Sequence, residues 1–344
     1  MKAAIITQFG DANTVFEIRD DIALPVPKPG EVRIKLYATS VNPVDYKRRK
    51  GYAKQALRLL GITGFPLILG SDIAGEVDSL GSGVNTFAVG NKVWGVKNAS
   101  RFGTYAEYVC CAAKDLCLMP SLLTFEQAAA LPFVGLTTWT ALVTQVGLTE
   151  KNTRNLKILV HAGAGGVGSF AIQFLKAWGA TVATTCSTKN IEFCKNLGAD
   201  EVIDYTTTHF KEKLSEFDGV LNTVGISLED DSLSILKKDG KAFYVNIVHP
   251  LFEIIGKDGL LMGGFKALFL MAKKKCEQCL KGRRYYWSIF RNNPHGLAII
   301  TALVEQAKIK PVINCVLPLE RIVAAHELSE TQHTAGKIII KLNK

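Results

Sequence analysis

Apolar and polar positions alternate with a period of two in short runs over the first 120 residues: KAAIIT (2–7), EVRIKLYATSVNP (31–43), DIAGEVDSLG (72–81), NKVWGV (91–96) and TYAEYVC (104–110). Proline and glycine punctuate these runs, which predicts a mostly β domain with many turns. From about Thr124 the texture changes. The helix-like FEQAAALPFVGLTTWTALVTQVG leads into six strand patterns, LKILVHA, ATVATTC, EVIDY, GVLNTVG, KAFYVNI and RRYYWSIF, with helical patterns between most of them. Apolar runs that alternate with helices predict an α/β fold with a doubly wound parallel sheet. The tail carries an amphipathic helix over PHGLAIITALVEQAKI, then strand-like VINCVLPL, a further helix and GKIIIKL. Such a β-rich tail most simply rejoins the N-terminal domain. The expected division is 1–125 and 292–344 in one domain, with 126–291 between them.

Composition narrows the class. A chain of 344 residues with 48% hydrophobic and 21% charged positions builds two substantial globular cores. It contains no apolar run of the length that spans a bilayer. The opening MKAAIITQFG reads as a strand rather than a targeting segment, and the eight cysteines form no disulfide framework. A reducing, cytoplasmic address is therefore expected.

The net charge of +10 is unevenly placed, with eight basic residues against one acid, Glu277, between Gly264 and His295. A basic patch suits anionic lipid, nucleic acid or a phosphorylated ligand, or is simply a solvated face. Only RRYYW interleaves aromatics with cations, and it reads as a strand, so no nucleic-acid partner is expected. The stretch GLLMGGFKALFLMAKKKCEQCLKGRR has two readings. One is a buried helix followed by a wet loop; the other is an amphipathic lid making peripheral membrane contact through 260–291. Cys276 and Cys279 form one CxxC without a second pair or a histidine, which reads as two helix-face cysteines.

The segment HAGAGGVGSF (161–170) carries the chemistry. Gly163, Gly165 and Gly168 give the G-x-G-x-x-G spacing after an apolar strand and before a clean helix. Gly163 permits a tight turn, Gly165 lets backbone N–H groups approach a pyrophosphate, and Gly168 packs helix on strand. The cradle is thus Gly163, Ala164, Gly165, Gly166, Val167 and Gly168. The second strand ends TTCSTKN with no acid to bond the ribose hydroxyls of NAD. Ser187 and Thr188 offer hydroxyls and Lys189 a cation, which suits the 2′-phosphate of NADP; Lys189 also fits an ordinary surface lysine. Strand ends on one edge of an open sheet form the ligand crevice, which singles out Asn222 and Val224 after the fourth strand and Val245, Asn246 and Ile247 after the fifth. Ser288 and Phe290 on the last strand are candidates for the nicotinamide amide. His161, beside the loop, reads as packing.

Several segments together resemble the medium-chain dehydrogenase/reductase superfamily, and within it the zinc-free quinone oxidoreductases. They are VNPVDYKRRKGY (41–52), LILGSDIAGEV (67–77), AALPFVGLTTWTAL (129–142), HAGAGGVGSFAIQ (161–173), LGADEVIDY (197–205) and HTAGKIIIKL (333–342). LKGRRYYWSIF looks most like the mitochondrial reticulon-interacting branch, and CSTKNIEFCKNLGADEVIDY is similar to the chloroplast-envelope quinone oxidoreductase homologues. The resemblance implies a GroES-like catalytic domain interrupted by a Rossmann domain, NADPH as cofactor, and a homodimer. It implies that Asn42, Tyr46 and Tyr52 serve the nicotinamide and the substrate, that Thr138 contacts the cofactor, that Tyr205 covers the adenosine, and that Gly336 and Lys337 close the site. The tyrosines also fit packing, Thr138 a core hydroxyl, and Lys337 the start of a strand.

Zinc enzymes of this superfamily carry a cysteine near position 42 and Gly-His-Glu near 70–72, where this chain has Asn42 and Gly70-Ser71-Asp72. Asp72 reads as holding a turn between the domains, and no metal is expected. Without a Lewis acid, alcohol oxidation lacks a way to lower the hydroxyl pKa, whereas a quinone or enone spreads the arriving charge over its own conjugated oxygen. The expected function is an NADPH-dependent reductase of quinones or electron-poor conjugated carbonyls. An enone reductase without quinone activity, and an NADPH-binding interaction protein with little turnover, are the alternatives.

Overall fold

The computed structural model describes residues 1–98 and 102–343, and among these the chain divides into two compact units. The first holds Met1–Phe133, Asn292–Gln306 and Pro311–Lys344; the second holds Val134–Arg291 and Ala307–Lys310. In chain order the first unit opens with β1 (Ala3–Ile6), β2 (Phe16–Arg19), β3 (Glu31–Val41), β4 (Leu67–Ile68), β5 (Asp72–Leu80), β6 (Lys92–Val96), β7 (Tyr108–Ala112) and β8 (Leu116–Leu118). The second unit follows with β9 (Lys157–Val160), β10 (Thr181–Cys186), β11 (Glu201–Asp204), β12 (Gly219–Asn222), β13 (Phe243–Asn246) and β14 (Arg284–Trp287). Then β15 (Ile313–Pro318) and β16 (Lys337–Lys341) return to the first.

Strand β3 is the spine of the first unit. It starts with alternating half-buried and buried residues and ends with Ala38–Val41 all buried. Its sheet runs β15-β16-β3-β5-β6-β8 with β7 also on β3, and a smaller sheet runs β2-β1-β4. Because the end of β3 is fully enclosed, the hydroxyls of Thr39 and Ser40 must find partners inside the fold. Strand β16 lies antiparallel to β3 with Ile338 opposite Val41, so Lys337 arrives beside Asn42.

The second unit is one sheet in the order β11-β10-β9-β12-β13-β14, and each of its pairings is parallel. Ile158, Leu159 and Val160 of β9 are wholly buried, as a central strand covered on both faces requires. The order reverses between β9 and β12, which is the switch point where such sheets bind ligands, outside the carboxyl ends of the strands. Ser288 and Phe290 were expected on the last strand; β14 stops at Trp287, so both follow it.

Two buried histidines give the fold a pH signature. His161 at the end of β9 has one ring nitrogen 3.2 Å from Thr185 Oγ1 and the other 2.9 Å from Ser232 Oγ. His326, on the Ile322–Glu330 helix, has Nε2 3.2 Å from the Tyr105 hydroxyl. Burial pushes the His161 imidazole down to about 3, and burial with nearby Arg49 does the same to His326. Both stay neutral in the native state while the unfolded chain takes up protons below about 6.5. Stability therefore falls as pH drops from about 6.5 towards 3, by up to about 1.4 kcal/mol per pH unit for each histidine, and is unaffected by them above that window. Urea midpoints at neutral and mildly acid pH should show His326→Gln with a shallower acid loss than the parent chain. An unchanged slope would refute the assignment.

Candidate active site

The carboxyl edge of the six-stranded sheet gathers the cradle and the residues expected to flank it. Here β9 runs into the loop 161–165, and the Gly166–Ala177 helix begins with Gly165 at its N-cap and no side-chain cap. The first intrahelical bond runs from Ser169 N to Gly165 O at 2.9 Å, so the N–H groups of Gly166, Val167 and Gly168 face out of the helix end. Their direction and the helix dipole suit an anion.

The three glycines divide by cause. A Cβ on Gly163 would lie 2.1 Å from Thr184 Oγ1, and one on Gly168 would lie 2.2 Å from Ala162 O. Both are therefore glycine for packing. The tight turn expected of Gly163 is made instead by Ala162, whose φ of 51° is left-handed, while Gly163 is needed because the Thr184 side chain fills its Cβ space. Gly165 has an ordinary extended φ of −71°, and a Cβ there would come no closer than 3.3 Å to its nearest neighbour, Ala162 O. The protein's own packing does not demand a glycine at 165. A bare backbone there suits the close approach of a ligand.

Strand β10 leads into Ser187, Thr188 and Lys189, where Lys189 is exposed. Parallel pairing sets Cys186 opposite Asp204, and the Thr188 hydroxyl donates to Asp204 Oδ2 at 2.6 Å. The sequence shows no acid at the end of β10, yet the neighbouring strand supplies one in space. Hydrogen bonds from Thr188 and Thr206 hold the Asp204 carboxyl below its ordinary value. This residue is legible only once the β10–β11 register is known.

Tyr205 is more than half exposed, with its backbone N–H on Cys186 O. Asn222 closes a turn on itself: its Oδ1 accepts from Val224 N and Gly225 N, and its Nδ2 donates to Gly225 O and the Tyr244 hydroxyl. Val224 is exposed after that turn. Val245 and Asn246 are the last residues of β13, with Ile247 just beyond, and Asn246 Oδ1 accepts from Val248 N at 2.7 Å. Ser288 N donates to Asn246 O, while its carbonyl faces His249 Nε2 at 3.2 Å. Thr138 is not on this edge. It lies in the Pro132–Trp139 helix, buried, donating to Val134 O at 2.9 Å.

The first unit holds a second, buried polar cluster at the end of β3. Asn42 caps the Pro43–Arg49 helix, Asp72 opens β5 and Lys337 opens β16. Asp72, read from the sequence as holding a turn, is instead a wholly buried strand residue. Its Oδ2 accepts from Ser40 Oγ and from Asn42 Nδ2 at 2.9 Å, and its Oδ1 accepts from Phe133 N at 2.7 Å. The Lys337 ammonium lies 3.7 Å from Asp72 Oδ2 and donates to Asn42 Oδ1. Burial pushes Lys337 below the ordinary lysine value, and Asp72 and then Asp45 pull it back.

Asp45 extends the cluster. Its Oδ2 accepts from Asn42 N at 2.8 Å and from the Tyr105 hydroxyl at 3.2 Å, which continues to His326. Burial raises the Asp45 carboxyl above its usual range, opposed by the Asn42 N–H. Gly336, with φ of 81°, turns the chain into β16; a Cβ there would lie 2.6 Å from the Val312 side chain. Tyr46, on the helix that Asn42 caps, is buried with its hydroxyl 3.3 Å from Gln332 Nε2. The Lys47 ammonium sits 5.6 Å from the Tyr52 ring centre. Asn42 and Lys337 are thus in contact. Sequence reading missed Asp45, Ser40, Tyr105 and His326 because their relation is wholly tertiary.

The donor set answers the question of zinc. At 42, 71 and 72 stand an amide, a hydroxyl and a carboxylate, with no thiolate or imidazole among them. Both polar atoms of the Asn42 side chain are engaged by Asp72 and Lys337, so these residues do not fit a zinc ion.

Two family models match the chain: the alcohol dehydrogenase GroES-like domain over residues 28–121 and the zinc-binding dehydrogenase domain over 197–340. The mitochondrial NAD(P)H oxidoreductase RTN4IP1 of Mus musculus is 36% identical over 99% of this chain and 89% of its own length. The chloroplast envelope quinone oxidoreductase homolog of Arabidopsis thaliana is 34% identical over 93% of this chain and 92% of its own. A solved quinone oxidoreductase from Coxiella burnetii matches with a TM-score of 0.83 at 33% identity, covering 100% of this chain and 99% of that one. The cytoplasmic expectation does not survive, because the relatives from Mus musculus to Dictyostelium discoideum are mitochondrial by name. Unpaired cysteines report a redox state and carry no information about the address. With its GroES-like and Rossmann parts, the chain belongs to the medium-chain dehydrogenase/reductase superfamily, among the NAD(P)H oxidoreductases of the quinone oxidoreductase type.

Proposed function

We propose that this protein is an NADPH-dependent reductase that delivers hydride to quinones or other electron-poor conjugated carbonyls without zinc. The observation that carries the reading is the Asn42–Asp72–Lys337 network: an amide and a carboxylate stand at 42 and 72, where the zinc enzymes carry Cys and Glu, and a buried ammonium engages both. A conjugated acceptor needs orientation and exclusion of water more than a Lewis acid. When bound, NADPH supplies the hydride from its nicotinamide ring. The cradle 163–168 holds the pyrophosphate, Ser187 and Lys189 meet the 2′-phosphate, and Tyr205 covers the adenosine. Asn222, Val224, Val245, Asn246, Ile247, Ser288 and Phe290 complete the cofactor contacts along this edge. Asn42 orients the reacting end.

In this reading Tyr46 or Tyr52 hydrogen-bonds the substrate oxygen or relays a proton to it. Burial pushes the Tyr46 phenol above its ordinary value, which makes it a weaker acid and favours hydrogen bonding to the substrate oxygen over proton relay at this residue. The relatives' names support a mitochondrial address. A homodimer paired through β14, an edge strand of the six-stranded sheet, belongs to the same reading.

The test is the oxidation of NADPH and NADH against a panel of quinones and enones, with product analysis to separate quinone reduction from saturation of a double bond. Lys189→Ala should lower the preference for NADPH over NADH about ten-fold, the loss of one charged contact to phosphate. An unchanged ratio would remove Lys189 from the phosphate site. Activity that requires stoichiometric zinc, or no turnover with either dinucleotide, would end the whole reading.

A further inference from the structure

The Leu260–Leu280 helix departs from the first of the two sequence readings, a buried helix followed by a wet loop, and keeps the amphipathic character of the second. It is neither buried nor followed by a loop at its lysines; Lys273, Lys274 and Lys275 lie within it. Two arginines of the basic stretch are drawn into the fold, since Arg283 donates to Leu236 O and Arg284 to Lys241 O and Val146 O. The rest of the charge stays on the helix.

At about 100° per residue the helix has two distinct faces. The inner face carries Gly263, Ala267 and Gln278, all buried. A Cβ on Gly263 would lie 2.7 Å from Ile254 O, so this face packs tightly on the Leu251–Asp258 helix. Lys274 points inward too, 2.8 Å from Glu229. The outer face is apolar. Leu261, Phe265, Leu268 and Phe269 follow the spacing i, i+4, i+7, i+8 and are 89%, 69%, 60% and 64% exposed, with Met262 and Leu280 beside them at 58% and 85%. Lys266 and Lys273 edge this stripe on one side and Lys275 on the other, all exposed. An uncovered apolar stripe of this extent marks a surface that meets a partner.

Charge decides which partner. Around a two-fold axis, two copies of the helix packed antiparallel would set the Lys266–Lys273 edge against itself. The acids near that edge are already paired within each copy, Asp258 at 3.0 Å from Lys266 and Glu277 at 4.0 Å from Lys273, so neither is left to offset the facing lysines. A docked peptide is held in a groove, whereas this face is the convex side of a helix. An apolar ridge edged by lysines matches lipid, with acyl chains below and phosphate beside. No helix of the described residues is long and apolar enough to cross a membrane, so the helix would lie on the surface. We propose that the outer face of the Leu260–Leu280 helix docks this protein onto an anionic lipid surface, with Phe265 and Phe269 entering the acyl boundary and Lys266, Lys273 and Lys275 meeting lipid phosphates. The inference is independent of the acceptor and of the cofactor.

Co-sedimentation of the full chain with phosphatidylcholine vesicles, with and without phosphatidylglycerol, tests it. The parent should partition onto the anionic vesicles and release as salt rises. Phe265→Ser with Phe269→Ser should lower partitioning at least ten-fold. Replacing Lys266, Lys273 and Lys275 by Gln should cost up to about five-fold per lysine and flatten the salt response. NAD(P)H binding and circular dichroism serve as controls that the variants are folded. A parent that ignores anionic vesicles at low salt, or a double serine variant that binds like the parent, overturns the proposal. So does a dimer in sedimentation velocity that the double serine variant dissolves, which would give this face to a second copy.

Discussion

Gly168→Ala should weaken NADPH binding about one-hundred-fold, while Gly165→Ala weakens it without touching the fold. The two substitutions add the same methyl group and differ only in what surrounds it. At 168 the new Cβ would stand 2.2 Å from Ala162 O and 2.8 Å from Gly163 Cα. Neither backbone atom can yield without moving the whole turn. A shift of that size re-aims the N–H groups of Gly166 and Val167, and overpacking costs about 1–3 kcal/mol of stability besides. At 165 the backbone is extended and the nearest atom, Ala162 O, is 3.3 Å away, a tight contact that asks the turn to give by only a few tenths of an ångström, far less than at 168. A methyl group there projects only at what binds the loop. The expected pattern is a loss of both affinity and urea midpoint at 168, and a loss of affinity alone, about ten-fold or more, at 165. Fluorescence titration with NADPH beside urea unfolding separates the two. Full affinity in Gly165→Ala would show that the pyrophosphate does not approach this backbone.

The same contrast measures what the sequence could disclose. The six strands of the second unit are legible because each is a continuous apolar run with helix patterns between, and residues that end such strands share one edge by topology alone. Asn222, Val245 and Asn246 were found in that way. Asp204 was not, because its relation to Thr188 is a fact of register between two strands, and nothing local in EVIDY announces it. The NADP reading from an acid-free TTCSTKN is correspondingly weaker in space than on paper, since a charged carboxylate stands one strand away.

The helix at 260–280 was left between two readings for a different reason. Its apolar residues cover both faces, so periodicity could say helix but not which side faces the core. The inner side is chosen by Gly263 and Ala267, whose small size permits close packing; the larger residues are left outside. Lys337 is the opposite case. It was singled out by family resemblance and also fitted a plain strand start. It is a strand start, and its side chain is a buried cation of the first unit, as Arg48 and Arg49 are too.

Lys337→Met should therefore destabilise the first unit by about 3–5 kcal/mol, the cost of leaving a buried charge without its partner. Methionine matches the aliphatic stem in volume, so the effect isolates the ammonium. Without it, the Asp72 carboxylate keeps Ser40, Asn42 and the Phe133 N–H and Asp45 keeps the nearby charge of Arg48, but Asn42 Oδ1 loses its donor and Asp72 loses its ammonium. Adding Asp72→Asn to Lys337→Met removes that unpartnered charge and should recover a large part of the loss, whereas Asp72→Asn alone strands the ammonium. The coupling between 72 and 337 from the four urea curves should exceed about 1.5 kcal/mol, beyond what exposed ion pairs reach. Independent effects of the two substitutions would mean that the ammonium and carboxylate do not share one buried site. The double variant also speaks to the chemistry: a chain that regains its stability but not its turnover places the Asp72–Lys337 pair in the reaction, and the turnover of Asp72→Asn alone then tells the two residues apart.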